Sequence, residues 1–339
     1  MARAIALLSG GLDSTLSVLL LRRQQIEVTA VTFLTHFGCD MGDKSSCSSD
    51  STSNAARYGF EVKMCHLSDK FIDIVKNPKF GHGKNMNPCI DCRVLMLREA
   101  KELMRMREAD FIATGEVLGQ RPMSQRRDTF PLIDREAGVT GLVLRPLSAK
   151  LLKPTVAEET GLVDRDLLCG FAGRTRKPQM ALAAEFGLME YPAPAGGCLL
   201  TDPNYSYRLE ELLAFAPDPS YRDFHLLRVG RHFRLPLGKK VVVGRDQAEN
   251  ERIEALSEPE DFLLRVQGVG SPLALLPGDA ALEDVMAAAR LCARYSDAKH
   301  FPEVSVRVEH GGEAFELSVT PATDRELEEL RVQKLVRAR

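Results

Sequence analysis

The chain of 339 residues has almost no net charge: 45 lysines and arginines face 47 aspartates and glutamates, a formal −2. Taken alone, that balance argues against a polyanion partner. No apolar run reaches the roughly eighteen residues that a membrane-spanning helix needs, so no membrane association is expected. The start, Met1–Ser14, has no small-residue cleavage site after its short apolar run. It does not read as a signal peptide, and the expected location is the cytoplasm. No internal repeat is visible. Aromatic residues make up 6% and show no spacing that would build a stacking platform for bases. What is present is 44% apolar residues, enough to build cores in two or three domains. There are also eight cysteines. In a leaderless chain they point to reduced thiols used for metal or catalysis, not to a disulfide framework.

Charge counted by region overturns the first inference. Residues 1–75 carry −1, 76–153 carry +6, 154–221 carry −5 and 222–339 carry −2. An acidic connector therefore offsets a basic segment, and a second basic stretch runs from Arg222 to Arg252. Clustered bases bind phosphates whatever the total, although a solvated surface explains such charge equally well.

The apolar pattern predicts strands at Ala4–Leu8, Val28–Phe33, Glu61–Leu67, Phe111–Thr114 and Leu142–Arg145, with helices at Leu12–Leu21 and Arg93–Arg107. Lys44–Ser53 reads as a mobile loop and Asn77–Pro88 as an ordered one. These are the parts of a doubly wound, mostly parallel α/β sheet. A short helix, Pro178–Phe186, leads to the Pro/Gly-rich stretch Tyr191–Cys198, then Glu210–Ala216 and a linker at Pro217-Asp218-Pro219. Beyond it lies an α+β pattern. Its expected strands are Leu226–Val229, Lys240–Val243 and Phe262–Val266, and Leu282–Tyr295 is a helix. A hairpin of Val304–Val308 and Ala314–Val319 turns around His310-Gly311-Gly312, and a terminal helix covers Glu326–Val336. The expected domains are 1–165, a connector 166–221 carrying a cysteine, and 222–339.

Ser9-Gly10-Gly11-Leu12-Asp13-Ser14 falls between the first strand and the first helix. Glycines there let the backbone curl around phosphate oxygens, while helix N-terminal amides and two serine hydroxyls supply donors. The lysine and spacing of the P-loop are missing. The hexapeptide resembles the SGGxDS "PP-loop" of ATP pyrophosphatases, whose fold is adenine nucleotide alpha hydrolase-like. That resemblance implies cleavage of ATP between the α and β phosphates and adenylation of a substrate. It implies that Ser9, Gly10, Gly11 and Ser14 bind phosphate and that Asp13 helps to hold Mg²⁺ and pyrophosphate. The segment from Thr114 through Gly119-Gln120 to Ser124-Gln125 follows the fourth strand, where ligands of open α/β sheets bind. It is similar to the TGExLGQ…SQ segment of the thiouridine synthetase family, as is Leu144-Arg145-Pro146-Leu147. By this resemblance Gly115, Gln120 and Gln125 contact the adenylate, Arg93 binds the nucleotide, and Leu8 and Phe33 line the adenine pocket. For Phe33 a core role fits equally.

Cys89-Ile90-Asp91-Cys92 is a C-x-x-C ahead of a helix, where the helix N-terminus and Arg93 favour thiolate. Gly196-Gly197-Cys198 sets a third cysteine after a turn. The two segments resemble those of tRNA 2-thiouridylases, and the set of three also resembles cluster-dependent tRNA thiolases. Two chemistries fit. A cysteine persulfide attacks the adenylated carbon and a second cysteine resolves a disulfide. In the other, Cys89, Cys92 and Cys198 hold a [4Fe–4S] cluster that delivers sulfur, which the third cysteine favours. Structural zinc lacks an evident fourth ligand. Cys65, Cys169 and Cys292 read as buried small hydrophobes, and Cys39 and Cys47 as incidental.

Arg121, Arg126 and Arg127 follow the nucleotide loop and could meet RNA phosphates, ATP phosphates or acidic neighbours. In the last domain, Val243-Gly244-Arg245-Asp246 leading to Asn250, and Tyr295-Ser296-Asp297-Ala298-Lys299, resemble segments of the NFACT RNA-binding domain. The combined expectation is an ATP-dependent, AMP-forming tRNA sulfurtransferase acting on a uridine carbonyl. Its partners would be tRNA and a sulfide or persulfide donor, and a homodimer is compatible with the sequence. Two alternatives stand beside it: sulfur transfer to a small molecule, and a nucleotide-regulated RNA-binding protein.

Overall fold

The computed structural model describes residues 1–37, 51–192, 198–216 and 218–333. The chain divides into two compact units, Met1–Thr201 and Asp202–Arg339, so the segment 166–221 is split between them.

The first unit is built on five parallel strands: β1 (Arg3–Leu7), β2 (Glu27–Leu34), β3 (Glu61–His66), β4 (Phe111–Thr114) and β5 (Val143–Leu144). Their order is β3-β2-β1-β4-β5. The central strand is apolar on both faces because both are covered. Ala4, Ala6 and Leu8 pack with Val18, Leu21 and Val28 on one side. Ile5 and Leu7 pack with Val94, Leu97, Ile112 and Ile133 on the other. Leu7 of β1 lies opposite both Val31 of β2 and Thr114 of β4. The chain leaves β1 for β2 on one side, while β4 pairs on the other. That reversal opens a crevice at the carboxyl ends of β1 and β4.

The second unit is a six-stranded antiparallel sheet, ordered β11-β10-β8-β9-β7-β6. Its strands are β6 (Arg231–Arg234), β7 (Lys240–Val243), β8 (Phe262–Val266), β9 (Ala274–Leu276), β10 (Val304–His310) and β11 (Glu313–Val319). Alternation in β10 turns Val304, Val306 and Val308 inward against Val285, Ala288, Ala289 and Cys292 of the Leu282–Arg294 helix. The β10–β11 hairpin turns on Gly311 and Gly312, whose φ of 57° and 83° are the left-handed pair that a two-residue turn demands.

Three expected elements are corrected. Leu226–Val229 is not a strand. The helix Tyr221–Leu226 ends there, started by a reciprocal cap between Ser220 and Asp223, and the strand begins at Arg231. The last helix starts at Asp324 and stops at Leu330, where Arg331 turns extended. Of the loop expected over Lys44–Ser53, residues 44–50 lie outside the described residues, and a helix starts at Ser51. Among the described residues, no helix is long and apolar enough to cross a membrane.

Candidate functional site

The crevice is floored by the turn between β1 and the Leu12–Arg23 helix. Gly10 takes a φ of 72°, which lets the chain double back. The turn is closed on itself: Ser9 N–H donates to Ser14 Oγ (3.2 Å), and Ser14 Oγ donates to Gly11 O (2.9 Å). Gly115, first after β4, touches this turn from the neighbouring strand. A Cβ there would stand 2.5 Å from both Ser14 N and Ser14 Cα, so only glycine fits. Gln120 then reaches back, its Nε2 donating to Asp13 Oδ2 at 2.9 Å. Asp13 Oδ1 is buried without a partner, and so is Gln125 Oε1. Both oxygens are therefore open to a partner from outside the protein. A lone carboxylate oxygen at such a site suits Mg²⁺, which keeps waters and takes its other ligands from substrate phosphates. Leu8 and Phe33 are not brought together. Leu8 is buried with Ala4 and Ala6 on one face of the sheet, and Phe33 packs with Ile5 and Leu7 on the other.

Behind Gly115 runs a charge network across four segments. Glu116 is 3% exposed and takes Arg145 Nε at 3.1 Å, while Arg145 holds Asp134 through both terminal nitrogens (3.0 and 2.8 Å). Burial works against the Arg145 charge, but Glu116 and Asp134 outweigh it and hold its pKa above the ordinary value. Burial raises Asp134, against the pull of Arg145. Arg93 reaches the same Glu116 at 3.5 Å and so ties the C-x-x-C helix to the crevice. Glu116 and Arg145 were in view in the sequence as parts of quoted segments, but nothing there assigned them to each other. Gln179 was missed altogether. It is fully buried with neither amide atom satisfied, on the helix that packs against the Leu12–Arg23 helix.

Cys89 opens the Cys89–Met106 helix and Cys92 follows one turn later. Asp91 between them accepts Lys79 N–H (3.0 Å) and Phe80 N–H (3.1 Å), which orders the preceding loop. Asn87 Nδ2 donates to Cys89 Sγ at 3.0 Å. Asn85 Nδ2 donates to Thr201 O at 2.8 Å, drawing in the segment that carries Cys198. Burial pushes the Cys92 thiol up to about 12; Arg93 pulls the other way, and Cys198, Cys89 and Asp91 are near enough to add to the rise. Cys198, from a distant segment, thus lies within electrostatic range of Cys92 at the start of the helix. Still, no group of three His, Cys, Asp or Glu residues among those described is arranged to hold a metal ion. Gly196, Gly197, Cys39 and Cys47 lie outside the described residues. Cys292 is buried as expected, whereas Cys65 and Cys169 are only half-buried.

Of the arginines after the nucleotide loop, Arg126 is paired with Asp128 and Arg127 donates to Leu151 O, leaving Arg121 exposed. A cavity of about 580 Å³ sits at the far end of the Leu12–Arg23 helix, beside Arg23, Cys169 and Glu185, and holds none of the predicted residues.

In the second unit the two quoted segments have mixed roles. Asn250 is structural, accepting Leu273 N–H at 2.9 Å through Oδ1. Ser296 shapes its own turn by bonding Ala293 O at 2.8 Å. Arg245 and Tyr295 instead face a group of arginines.

Residues 1–153 match the family described as thiamine biosynthesis protein (ThiI), and residues 230–331 match the NFACT protein RNA binding domain. A tRNA-specific 2-thiouridylase MnmA of Cytophaga hutchinsonii is 26% identical over 238 residues, 66% of this chain and 56% of that protein. Its counterpart in Herpetosiphon aurantiacus is 28% identical over 234 residues, 62% and 59% of the two chains. The match thus spans less than two thirds of the length of these relatives. Among solved structures, the U34-tRNA thiolase NcsA from Methanococcus maripaludis, with its [4Fe-4S] cluster, overlays 67% of this chain and 70% of that one, at 17% identity and a TM-score of 0.30. The chain therefore joins a ThiI-like PP-loop domain, residues 1–153, to a C-terminal NFACT-type RNA-binding domain, with MnmA as a distant relative.

Proposed function

We propose that the chain is an ATP-dependent, AMP-forming tRNA sulfurtransferase. The observation that carries this reading is the gathering of Cys89, Cys92 and Cys198, joined through Arg93 and Glu116 to the turn that holds Asp13. Adenylation alone needs no thiol, so cysteines drawn from two distant segments to the edge of a nucleotide crevice favour sulfur chemistry over nitrogen chemistry.

In this reading Ser9, Gly10, Gly11 and Ser14 hold phosphate, and Asp13 Oδ1 would hold Mg²⁺, which when bound would supply countercharge to the phosphates. Gly115, Gln120 and Gln125 fix the nucleotide from the β4 side, and Arg93 approaches from the cysteine side. The uridine carbonyl oxygen attacks the α phosphate, pyrophosphate departs, and the carbon becomes open to a sulfur nucleophile. A persulfide on one of the three thiols adds its outer sulfur to that carbon and AMP leaves with the former carbonyl oxygen. A second thiol then attacks the inner sulfur, which frees the thiocarbonyl and leaves a protein disulfide. An external dithiol reopens it, and a persulfide carrier restores the sulfur.

The test is release of AMP and pyrophosphate with and without tRNA, together with nucleoside mass spectrometry of tRNA from a deletion strain. tRNA-stimulated release and one missing thionucleoside are expected. Release stimulated only by a small sulfur acceptor, or unchanged thionucleosides with Asp13→Ala, would overturn the reading. A brown anaerobic preparation whose activity tracks its colour would replace the persulfide route by the cluster.

A further inference from the structure

Four arginines of the second unit are fastened to one another by neutral groups. Arg208 donates from Nη1 to Leu227 O (3.0 Å) and from Nη2 to Gly230 O (3.1 Å). The next residue, Arg231, donates to Gly244 O (3.0 Å) and lays its guanidinium over the Tyr295 ring, 4.3 Å from the centroid. Arg245 follows Gly244 directly. Arg331, from the other end of the domain, donates to Tyr295 Oη at 2.6 Å. Backbone carbonyls and a phenol thus set the positions of charges that repel one another.

The acids nearby do not balance them. Glu249 pairs with Arg245. Asp202 and Asp246 lie within electrostatic range, but each spends an oxygen on a helix start, accepting Tyr205 N–H and Glu249 N–H. The repulsion is felt: burial first, and then Arg245, depress Arg208 to about 10, against Glu249 and Asp202. Arg231 is lowered by burial, with Arg331 and Arg245 adding to the effect.

We propose that Arg208, Arg231, Arg245 and Arg331 form a phosphate site for the RNA backbone, the first contact of the RNA-binding domain with its partner. The proposal rests on the RNA-binding reading of residues 230–331 and goes beyond it by naming where and what the domain grips. A polyanion supplies the countercharge that Arg208, Arg231 and Arg331 lack and adds to that of Glu249 on Arg245, and the planar guanidinium forks match phosphate oxygens. The site reads backbone, not bases. Arg231 lies over the Tyr295 ring and Phe233 beside it is fully buried, so these two rings are engaged by the protein itself. Binding is then indifferent to sequence and steeply dependent on salt. The arginines lie apart in sequence, Arg208 in the segment 154–221 that counts −5 and Arg231, Arg245 and Arg331 in the segment 222–339 that counts −2, so regional charge counts hide them.

The test uses the full chain and labelled tRNA, with binding measured by fluorescence anisotropy over a salt series. Arg245→Gln and Arg331→Gln should each weaken binding by about three- to tenfold for every tRNA and lower the slope of log K against log salt by about one. Arg265→Gln, an exposed arginine paired with Glu254 on β8, should change neither. Wild-type slopes in both cluster variants would overturn the arginine site while leaving RNA binding intact. No tRNA binding by the wild-type chain would overturn the RNA reading and this site with it. A loss confined to certain tRNA sequences would show base readout and would also overturn it. A slope change cannot come from a merely loosened fold, because it counts released counterions.

Discussion

Arg145 in the first unit and Arg208 in the second are both largely removed from water, yet their surroundings are opposite. Arg145 is enclosed by two carboxylates, Glu116 and Asp134, and its charge is reinforced. Arg208 is held by two carbonyls among other arginines, and its charge is opposed. The first unit closes its strong charges among themselves. Among its buried polar atoms without a hydrogen-bond partner are Asp13 Oδ1 and Gln125 Oε1, on the two segments that follow β1 and β4. Such a site takes a small ligand in one orientation. The second unit leaves Arg208, Arg231 and Arg331 without a carboxylate ion-pair partner among the described residues, which suits an extended polyanion bound in many registers.

The largest effect should come from breaking the closed network. Arg145→Met leaves Asp134 buried with no ion-pair partner and Glu116 with only Arg93. We expect a loss of about 3–5 kcal/mol in urea denaturation. Arg208→Met also strands two carbonyls but relieves repulsion, so its cost should be clearly smaller. Equal losses would erase the contrast between the two arginines.

Next is Gly115→Ala. Its methyl group would fall on the Ser14 backbone at 2.5 Å, and neither strand nor helix can give way cheaply. A loss of about 1–3 kcal/mol is expected. A weaker affinity for ATP, read by calorimetry, should accompany it, with tRNA binding by the second unit untouched.

The same contrast explains what the sequence reveals. The glycine turn after β1, with its strand and helix, is local and legible from its residues, while Gly115 is legible only through the resemblance of its segment to the thiouridine synthetase family. The sequence pattern predicts a doubly wound parallel sheet, and the strand order found in the structure, with β4 beside β1, brings the loops after both strands together. The network of Arg93, Glu116, Asp134 and Arg145 is not legible. Its members come from four segments, and each alone looks like an ordinary surface charge. The arginine group of the second unit is hidden for the same reason. Leu226–Val229 misleads because four apolar residues fit a strand or a buried helix end equally. The deciding signal was upstream, in the Ser220–Asp223 cap. Leu8 and Phe33 sit near each other on adjacent strands, and only the alternation of faces separates them.

Acid should separate the units. His232 is buried, donates from Nε2 to Val229 O, and is held neutral well below its usual pKa by burial and by Arg208 and Lys240. As pH falls through about 6.5, the unfolded chain takes up a proton that the folded unit refuses, so stability is lost. Glu211 is lowered in spite of its burial by Arg234 and Lys240, and Glu249, also against burial, by Arg245. Both withdraw stability as pH falls below the ordinary glutamate range. Asp134 in the first unit has the opposite sign, because its raised pKa relieves a burial cost on protonation. Asp261 in the second unit, also raised by burial, shares that sign, and Glu136 of the first unit is lowered by Lys79. The buried His232 therefore carries the difference between the units. Hydrogen exchange followed from pH 7 to pH 4 should show the second unit opening first. Protection lost first around Ile5 and Ile112 would refute this ordering.

The smallest effect is Tyr295→Phe. It removes the hydroxyl that Arg331 grips but keeps the ring under Arg231. One hydrogen bond from a charged donor is lost in a partly solvated place, so stability should fall by only about 1 kcal/mol. Arg331 is then free to swing away from its three neighbours, which relieves repulsion and offsets part of that loss. Binding to tRNA should weaken by no more than about threefold, with the salt slope nearly unchanged, because all four charges remain and only their placement loosens. A fall in slope as large as that of Arg331→Gln would mean that the phenol fixes the charge where the phosphate sits. The site would then be as finely positioned as the crevice of the first unit, and the contrast between a fitted pocket and a forgiving surface would fail.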